Sequence, residues 1–354
     1  MRNVFATRFA TRAGALVLML FVVFTVAGNG SAQEFGARAL SMAGAYTAAA
    51  NDISSLIYNP AGLTENSFEI ALGVGSASLN ELQNFQSILA NEFEEDVTLD
   101  LVTLGGVSLG RFGAGVAADG IVEARLDCED GAYRCGQAKY MIQFLAGGGI
   151  DLGRLPLGLA DLKAGISVGR LDGRRITHSR VEASADTYHG RTDDLRGKGY
   201  TLNFGVTFKA TDVVTLGLAA QNVASNVTWS GTSTTGVYRK NDDTAVGPET
   251  KSPVAEYSEK LPSVYRAGVA IRPPVLSATI AADVASDGTV RVGVEKGLLA
   301  NALILRAGYA AGKDEQLTTA GLGIVIGPVH LDLAVGSPDG FKTTKTLVEG
   351  SVRF

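Results

Sequence analysis

Apolar and polar residues alternate along most of the chain after residue 66. Between residues 200 and 204, Tyr200, Leu202 and Phe204 share one face, opposite Thr201 and Asn203. A period of two, held over about nine or more residues, is the length and rhythm of a β-strand that crosses a membrane. About fourteen such strands are predicted, at 67–78, 97–109, 112–126, 137–152, 158–171, 198–209, 213–228, 263–272, 276–285, 289–297, 302–311, 316–327, 329–336 and 343–354.

The connections between these strands alternate between long and short. The long ones are 79–96, 127–136, 172–197 and 229–262, although the difference fades toward the C-terminus. Outer-membrane barrels have short periplasmic turns and longer outer loops, whereas a soluble β-sandwich has no reason to sort its loops in this way. We therefore predict an all-β fold, a transmembrane antiparallel β-barrel of about 14 strands, surrounded by outer-membrane lipid.

The two ends of the chain agree with export to the outer membrane. Three arginines precede an apolar run at 15–27 and a small residue at Ala32, which predicts a secretory signal peptide over residues 1–32. The alternative is a membrane-spanning helix, which needs about 20 apolar residues. Phe354 closes an alternating strand, and this ending resembles the signal that the bacterial barrel-assembly machinery reads. That machinery is therefore an expected partner.

Residues 33–66 have a different pattern and are predicted to form a short helical plug ahead of the barrel at 67–354. Phe35, Leu40, Met42, Ala43 and Tyr46 are spaced like a short helix, which Gly44 interrupts. A turn is predicted to follow at Asn59, Pro60, Ala61 and Gly62, because Asn-Pro followed by glycine is turn chemistry.

The plug segment also carries a family resemblance. Residues 36–45 read GARALSMAGA, Asp52 follows an asparagine, and residues 58–63 read YNPAGL. This resembles the opening signature of FadL-like outer-membrane transport barrels and of the PorV/PorQ-type barrels of type IX secretion. The chain departs from it at Ala43, where glycine is usual, and at Asn51, where aspartate is usual. The resemblance implies a hatch that fills a barrel of fourteen strands.

Two functions follow from this resemblance. The first is passive uptake of hydrophobic small molecules, such as long-chain fatty acids, across the outer membrane, with no cofactor. The second is a PorV-like partner barrel that docks a secreted protein or attaches it to the surface. The charged segments 172–197 and 229–262 suit a protein partner as well as a ligand.

Charged residues of the plug and of the later strands are expected to meet inside the barrel. Arg38 and Asp52 are placed to pair with the wall and are expected to stabilise the plug rather than to touch a ligand. Interleaved charges of both signs favour a cross-strand ionic lattice over an open polar passage. The residues predicted to point inward are Arg266, Asp283, Arg291, Glu295, Arg306, Asp332, Glu349 and Arg353.

The first outer connection predicts an amphipathic helix. Its apolar positions recur at three and four residues, at Leu82, Phe85, Leu89 and Phe93. FadL-like channels capture lipid-like substrates on apolar outer surface, so the resemblance makes these residues a candidate capture site. The helix could equally cap the barrel rim.

The third predicted strand holds glycines and the pair Asp119-Gly120 near its middle. Glycine weakens a strand and permits a bulge. FadL-like barrels have a kinked third strand that opens sideways to the membrane, and the resemblance places that feature at Asp119 and Gly120.

The remaining composition excludes several classes of function. The net charge is −5 without a basic tract, so nucleic acid is not an expected partner. The three histidines do not fit a catalytic arrangement or a metal site, so no enzyme and no metal are predicted. Export predicts a local disulfide between Cys128 and Cys135, with two free thiols as the alternative.

Overall fold

The computed structural model describes residues 35–66, 68–76, 97–125, 134–153, 160–241, 243–313, 316–338 and 344–354. Two short α-helices and a 3-10 helix come first, α1 at Ala37–Ser41, α2 at Ser55–Tyr58 and the 3-10 helix at Pro60–Glu65. The strands are β1 Phe68–Ser76, β2 Val97–Leu109, β3 Phe112–Arg125, β4 Arg134–Gly153, β5 Ala160–Glu182, β6 Thr187–Lys209, β7 Val214–Arg239, β8 Thr250–Glu259, β9 Val264–Ile271, β10 Ala278–Ala285, β11 Val290–Leu298, β12 Leu303–Ala311, β13 Gln316–Ile326, β14 Val329–Ser337 and β15 Lys345–Arg353.

The strands form one closed antiparallel ring. Strands adjacent in sequence pair with each other, except that β7 pairs with β9 and that β1 closes the ring against β15. The closing pair runs in register from Glu69 opposite Arg353 to Ser76 opposite Thr346. β8 stands outside the ring and pairs only with the outer half of β7. The predicted barrel of 14 strands is therefore confirmed.

The two faces of the wall have opposite character. On β1, Ile70, Leu72 and Val74 are 52%, 64% and 57% exposed and point outward, whereas Glu69 points inward and is fully buried. Exposed apolar side chains continue around the ring on β14 and β15, where Leu333 stands opposite Val348. A soluble barrel would turn its apolar face inward, so the wall has the arrangement of a barrel in lipid.

The segments 172–197 and 229–262 are not the long loops that the sequence predicted. They are largely strand, because β5, β6 and β7 run for 23, 23 and 26 residues. On the outward face of β5, the exposed apolar residues end at Val168. The outer part of the strand therefore extends beyond the apolar band, the zone of exposed apolar side chains on the wall. Cross-strand ion pairs such as Arg174 with Asp194, at 2.8 Å, stabilise this extension. Because both residues of such a pair are polar, the alternation of apolar and polar residues that predicts a strand is absent here.

Several predicted features lie outside the described residues. The signal peptide is among them, as is the segment with Leu82, Phe85, Leu89 and Phe93. Cys135 lies on β4 and is disulfide-bonded. Cys128, the other cysteine of the chain, lies outside these ranges, so the pairing stays a prediction. Within the part of the chain that the structure describes, no helix is long and apolar enough to span a bilayer.

Candidate functional site

Residues 35–66 lie inside the ring, where their side chains pack against the inner wall. Tyr46, Tyr58 and Leu56 are fully buried, and α1 contacts the wall at β12 to β15. Two apolar clusters join this plug to the barrel. One contains Met42 and Tyr46 with wall alanines, and the other contains Leu56 with Leu104 of β2. The plug therefore occupies the lumen at the level of the apolar band.

The predicted turn at Asn59 fixes the plug to β6 and β7. Asn59 Nδ2 donates to the carbonyl of Thr47 in the plug at 2.7 Å and to the carbonyls of Val206 and Leu218 in the wall, each at 3.3 Å. Its Oδ1 accepts from the amide of Ala61 at 3.1 Å, which sets the start of the 3-10 helix. Asn59 thus satisfies backbone groups of both the plug and the barrel.

Glycines of the wall make room for this turn. Gly149, Gly165 and Gly205 stand opposite one another on β4, β5 and β6. A Cβ at Gly165 would overlap the backbone of Pro60, and a Cβ at Gly205 would overlap the Asn59 side chain. The turn therefore rests directly on bare backbone, which is the close approach that only glycine permits.

A chain of ion pairs joins the plug to three strands of the wall. Arg38 contacts Glu295 of β11 through two hydrogen bonds, of 2.7 and 2.9 Å. Glu295 also accepts from Arg306 of β12 at 2.7 Å, and Arg306 donates to Asp332 of β14 at 2.5 Å. Charges alternate along this chain, so each buried charge has a partner of opposite sign.

Asp52 is the centre of a second cluster. It accepts hydrogen bonds from the Tyr46 hydroxyl and from Ser54 Oγ. Arg38 lies 3.7 Å away and Arg353 of β15 lies 4.0 Å away. Arg38 thereby connects the two clusters.

Carboxylates of the wall also bind backbone amides of the plug. Asp283 on β10 accepts from the amides of Tyr46 and Thr47 at 2.9 and 2.8 Å. Glu349 on β15 accepts from the amide of Ala37, at the start of α1, at 2.9 Å. These contacts hold the plug to the wall, and together with the ion pairs of Arg38, Arg306 and Arg353 they form the lattice between plug and wall.

A cavity of about 400 Å³ lies above the plug, toward the outer extension of the barrel. Phe35 and Ile57 of the plug belong to its lining, while β4 contributes three successive inward residues, Lys139, Met141 and Gln143. The other lining residues are Asp100, Asp119, Gly120, Ile121, Asn203, Gln221, Asn222, Leu261 and Pro262. The cavity thus combines apolar surface from the plug with polar groups from the wall.

Lys139 supplies the ammonium group of this cavity. Asp100, a carboxylate of the same lining, lies 3.7 Å from Lys345. Lys139 has no carboxylate within 4.0 Å among the residues that the structure covers. Its register neighbour on β5 is Arg175, which pairs with Glu259, so Lys139 is the positive charge that the described lining of the cavity offers. An anionic or hydrogen-bond-accepting group of a ligand would match it.

A buried cluster around Trp229, which we call the roof, borders the cavity through Met141 and Leu261. The Trp229 indole is fully buried in this cluster with Met141, Leu171, Leu195 and Val227. Room for the ring comes from two glycines that face each other on β5 and β6.

Three polar contacts hold the roof in place. Trp229 Nε1 donates to Glu259 of β8 at 2.8 Å. Arg175 stacks over the indole, 4.8 Å from the ring centre, and its guanidinium lies 3.3 Å from the same Glu259 carboxylate. The roof therefore depends on β8, which the sequence had placed in a loop.

Asp119 and Gly120 both line the cavity, and no bulge interrupts β3 at these residues. β3 keeps uninterrupted register with β2 and with β4 through both residues. A Cβ at Gly120 would lie 3.3 Å from Tyr140 Cβ. The glycine therefore accommodates a neighbouring side chain and does not mark a bulge.

The sequence did not identify the residues that give the cavity its chemistry. Lys139, Met141 and Gln143 occupy every second position of β4 and therefore share one face of the strand. This spacing was the feature of the sequence that could have identified them. Trp229 was unassigned because the strand that carries it was taken for a loop. Of the predicted plug residues, Arg38, Asp52 and Asn59 all make contacts that hold the plug.

No family model and no curated protein matches the chain by sequence. Solved structures do match it by fold. The toluene transporter TodX of P. putida superimposes with a TM-score of 0.63 at 13% identity, covering 92% of this chain and 99% of that one. The toluene transporter TbuX of Ralstonia pickettii gives 0.58 at 13% identity, covering 90% and 98%. A Pseudomonas aeruginosa FadL homologue gives 0.60 at 11% identity, covering 91% and 99%.

These matches extend over nearly the whole of each chain, and at such low identity they concern the fold alone. They agree with the closed antiparallel ring described above. The chain therefore has the fold of the FadL-like outer-membrane transport barrels.

Proposed function

We propose that this barrel takes up hydrophobic small molecules across the outer membrane and binds them in the cavity above the plug. The observation that carries this proposal is the cavity itself, about 400 Å³ in volume and placed between the plug and the Trp229 roof. Its size lies within the usual range for small-molecule sites, about 300–1,000 Å³. Uptake needs no cofactor and no energy source in this scheme.

The lining favours a ligand with one polar end. Phe35, Ile57 and Met141 offer apolar contact, whereas Lys139 offers an ammonium with no described carboxylate within 4.0 Å. A long-chain fatty acid or a similar amphipathic acid fits this division. Its chain would lie against the plug, and its carboxylate would meet Lys139.

The solved relatives support the coarser part of the proposal. Two of them are described as toluene transporters and one as a FadL homologue. A shared fold supports a shared task without identifying the ligand, because function depends on the site that a fold carries. The ligand assignment therefore depends on the cavity residues of this chain.

The test is equilibrium binding to the purified full chain in detergent. Palmitate, the alcohol of the same chain length, toluene and a disaccharide would be titrated by calorimetry. We expect saturable binding of palmitate, weaker binding of the alcohol, and none of the disaccharide. Absence of saturable binding across all the apolar probes would refute the proposal.

A partner-protein role is the second candidate, and the outer extension favours it. β5 to β8 carry exposed charges, among them Arg191, Lys251 and Glu256. Deleting 229–262 would not separate the two functions, because that segment carries Trp229 and the roof. Charge reversal at these three exposed positions is the cleaner test. Loss of protein display at the surface with unchanged palmitate binding would support the partner role.

A further inference from the structure

The outward face of the wall changes from apolar to basic along β5 and β6. On β6, Tyr200 is 56% exposed, and the next two outward residues toward the outer end are Lys198 and Arg196. On β5, the exposed Val168 is followed on the same face by Arg170. The basic residues therefore begin where the apolar band ends.

Strand register places four basic side chains next to one another on this face. Arg174 stands opposite Arg196, and Lys198 is the diagonal neighbour of both Arg170 and Arg174. In an antiparallel pair, opposed α-carbons are about 4.5–5.5 Å apart and diagonal ones about 7–8 Å apart, so long side chains at these positions can reach one common group. We call this set the basic row; its members are Arg170, Arg174, Arg196 and Lys198.

The basic row carries more positive than negative charge. Its two arginines on β5 each pair with a carboxylate, one with Asp172 at 3.0 Å and the other with Asp194 at 2.8 Å. Within the described ranges, no carboxylate lies within 4.0 Å of Arg196 or Lys198. Four cations thus stand against two carboxylates on this face, although the chain as a whole has a net charge of −5.

The position of the row favours a lipid over other anions. Its side chains share the face of Val168 and Tyr200, which belongs to the outward apolar surface. Tyr140 of β4, opposite Arg174, is also exposed. Exposed tyrosines at the edge of the apolar band are typical of the girdle where a barrel passes from acyl chains to headgroups. A phosphate at the headgroup level would meet the row, with its acyl chains along the band.

The row is confined to one side of the barrel. Toward the outer ends of β11 and β12, the exposed outward residues are Val290, Val292 and Tyr309, none of which is charged at neutral pH. A general attraction of the whole rim for anions would need basic residues on these strands as well. The charge arrangement therefore indicates a local site.

We propose that the basic row binds the phosphate groups of an anionic lipid in the outer leaflet, whose acyl chains lie against the apolar residues of β4 to β6. Arg196 and Lys198 provide the charges that no described carboxylate pairs with. Arginine binds phosphate oxygens through pairs of hydrogen bonds, and lysine binds them as a point charge. The site lies outside the lumen, so it does not depend on what the cavity takes up.

The test measures lipid binding to the purified full chain in a non-ionic detergent. Lipid A with two phosphates, the same lipid without phosphates, and inorganic phosphate would each be titrated by calorimetry. Arg196→Gln with Lys198→Gln removes the two charges that lack a described carboxylate partner. The matched control is Arg239→Gln with Lys251→Gln, which removes two exposed charges from the outer parts of β7 and β8.

We expect the Arg196 and Lys198 double variant to bind phosphorylated lipid A about tenfold or more weakly than the parent protein, because basic residues beside an anionic lipid each add to the attraction. The control should bind it within about twofold of the parent. Equal affinity of the parent and the double variant, or of the two lipids, would overturn the proposal. Binding of inorganic phosphate as tight as that of lipid A would overturn it as well.

A charge-preserving variant separates charge from shape. Arg196→Lys with Lys198→Arg retains both cations and should retain binding, and loss of binding here too would contradict a phosphate site. Circular dichroism would verify that the barrel is intact in each variant. Unchanged lipid binding with lost protein display in the glutamine double variant would assign the row to a protein partner and overturn the lipid site.

Discussion

Asn59 of the plug lies so close to Gly205 of β6 that a Cβ on residue 205 would overlap its side-chain oxygen. The same asparagine donates to Val206 O and Leu218 O, so the contact and the hydrogen bonds depend on one geometry. The fit between plug and barrel therefore requires glycine at this position of the wall.

Replacing this glycine should weaken the seating of the plug. Gly205→Ala is expected to lower the free energy of unfolding by about 1–3 kcal/mol, because the added methyl has no space. The measurement is the thermal unfolding midpoint in detergent. Gly247→Ala is the control, since a Cβ there meets nothing within 4 Å. Equal midpoints for the two variants would contradict the close fit.

The ion pairs between plug and wall predict a large loss of stability when one charged residue is replaced by an uncharged one. Arg38→Met removes the partner that Glu295 contacts through two hydrogen bonds, and breaking a buried pair costs about 3–5 kcal/mol. We expect a lower midpoint and faster proteolysis of the plug. Arg191→Met breaks an exposed pair with Asp193 and should change stability by less than about 1 kcal/mol. If both variants behaved alike, the lattice would not be what holds the plug.

Lys139 should determine the preference for acids over neutral ligands. Lys139→Met is expected to weaken palmitate binding about tenfold or more, because a charge-assisted hydrogen bond is lost, and to leave the matched alcohol almost unaffected. Calorimetry with both ligands measures this ratio. Lys198→Met, at an exposed position of β6, serves as the control. An equal loss for both ligands would assign Lys139 a packing role only.

Trp229 is the single tryptophan of the chain and lies in the roof, so its fluorescence reports on that region. Glu259→Gln should weaken the bond to Nε1 and the pairing with Arg175, with an expected cost of about 1–3 kcal/mol. We expect red-shifted emission and greater quenching by acrylamide. Glu256→Gln, at an exposed position of the same strand, should change neither. Unaltered emission in Glu259→Gln would show that packing alone holds the indole.

The outer extension should respond to acid through His178, which lies beyond the apolar band. Burial lowers the pKa of His178, and nearby Arg180 lowers it further. His178 Nε2 accepts from Arg180 Nε at 3.1 Å and can do so only when unprotonated. As the pH falls, His178 in an opened strand end takes up a proton near the ordinary histidine pKa, about 6.5. His178 in the folded strand takes one up only at a lower pH. Acid therefore favours opening.

Hydrogen exchange over residues 174–196 would measure this response. Protection is expected to fall as the pH drops below about 6.5, after correction for the intrinsic exchange rate. His178→Gln retains an acceptor that does not titrate, so its protection should remain constant. If protection in the parent protein did not change with pH, His178 would not control the opening of this region.

The sequence predicted the membrane wall well because lipid imposes a period of two on every strand that it touches. Segments such as 97–109 coincide with the observed β2. The outer halves of β5 to β7 were missed, since water and ion pairs face them and no apolar period marks them. β8 was missed for the same reason, and it also contains Pro253, which is unusual inside a strand.

Some parts of the candidate site could be predicted from the sequence and others could not. The inward charges were predictable, because a charge on a strand between lipid-facing residues has only the lumen to occupy. The cavity was not, since it depends on how β4, β7 and residues 260–263 come together in space. Asp119 and Gly120 were selected by resemblance and do line the cavity, although the strand is regular there.

The position of the plug within the chain also bears on how the molecule is built. The plug precedes β1, yet Asp283, Glu295 and Glu349, which bind it, belong to β10, β11 and β15. A partly assembled sheet would leave the Arg38 guanidinium and the Ala37 amide without partners, and burying them in that state is unfavourable. The plug therefore gains its full set of partners only in a finished ring. A well-seated plug is therefore a mark of completed assembly, and an incomplete barrel would expose that segment to proteolysis.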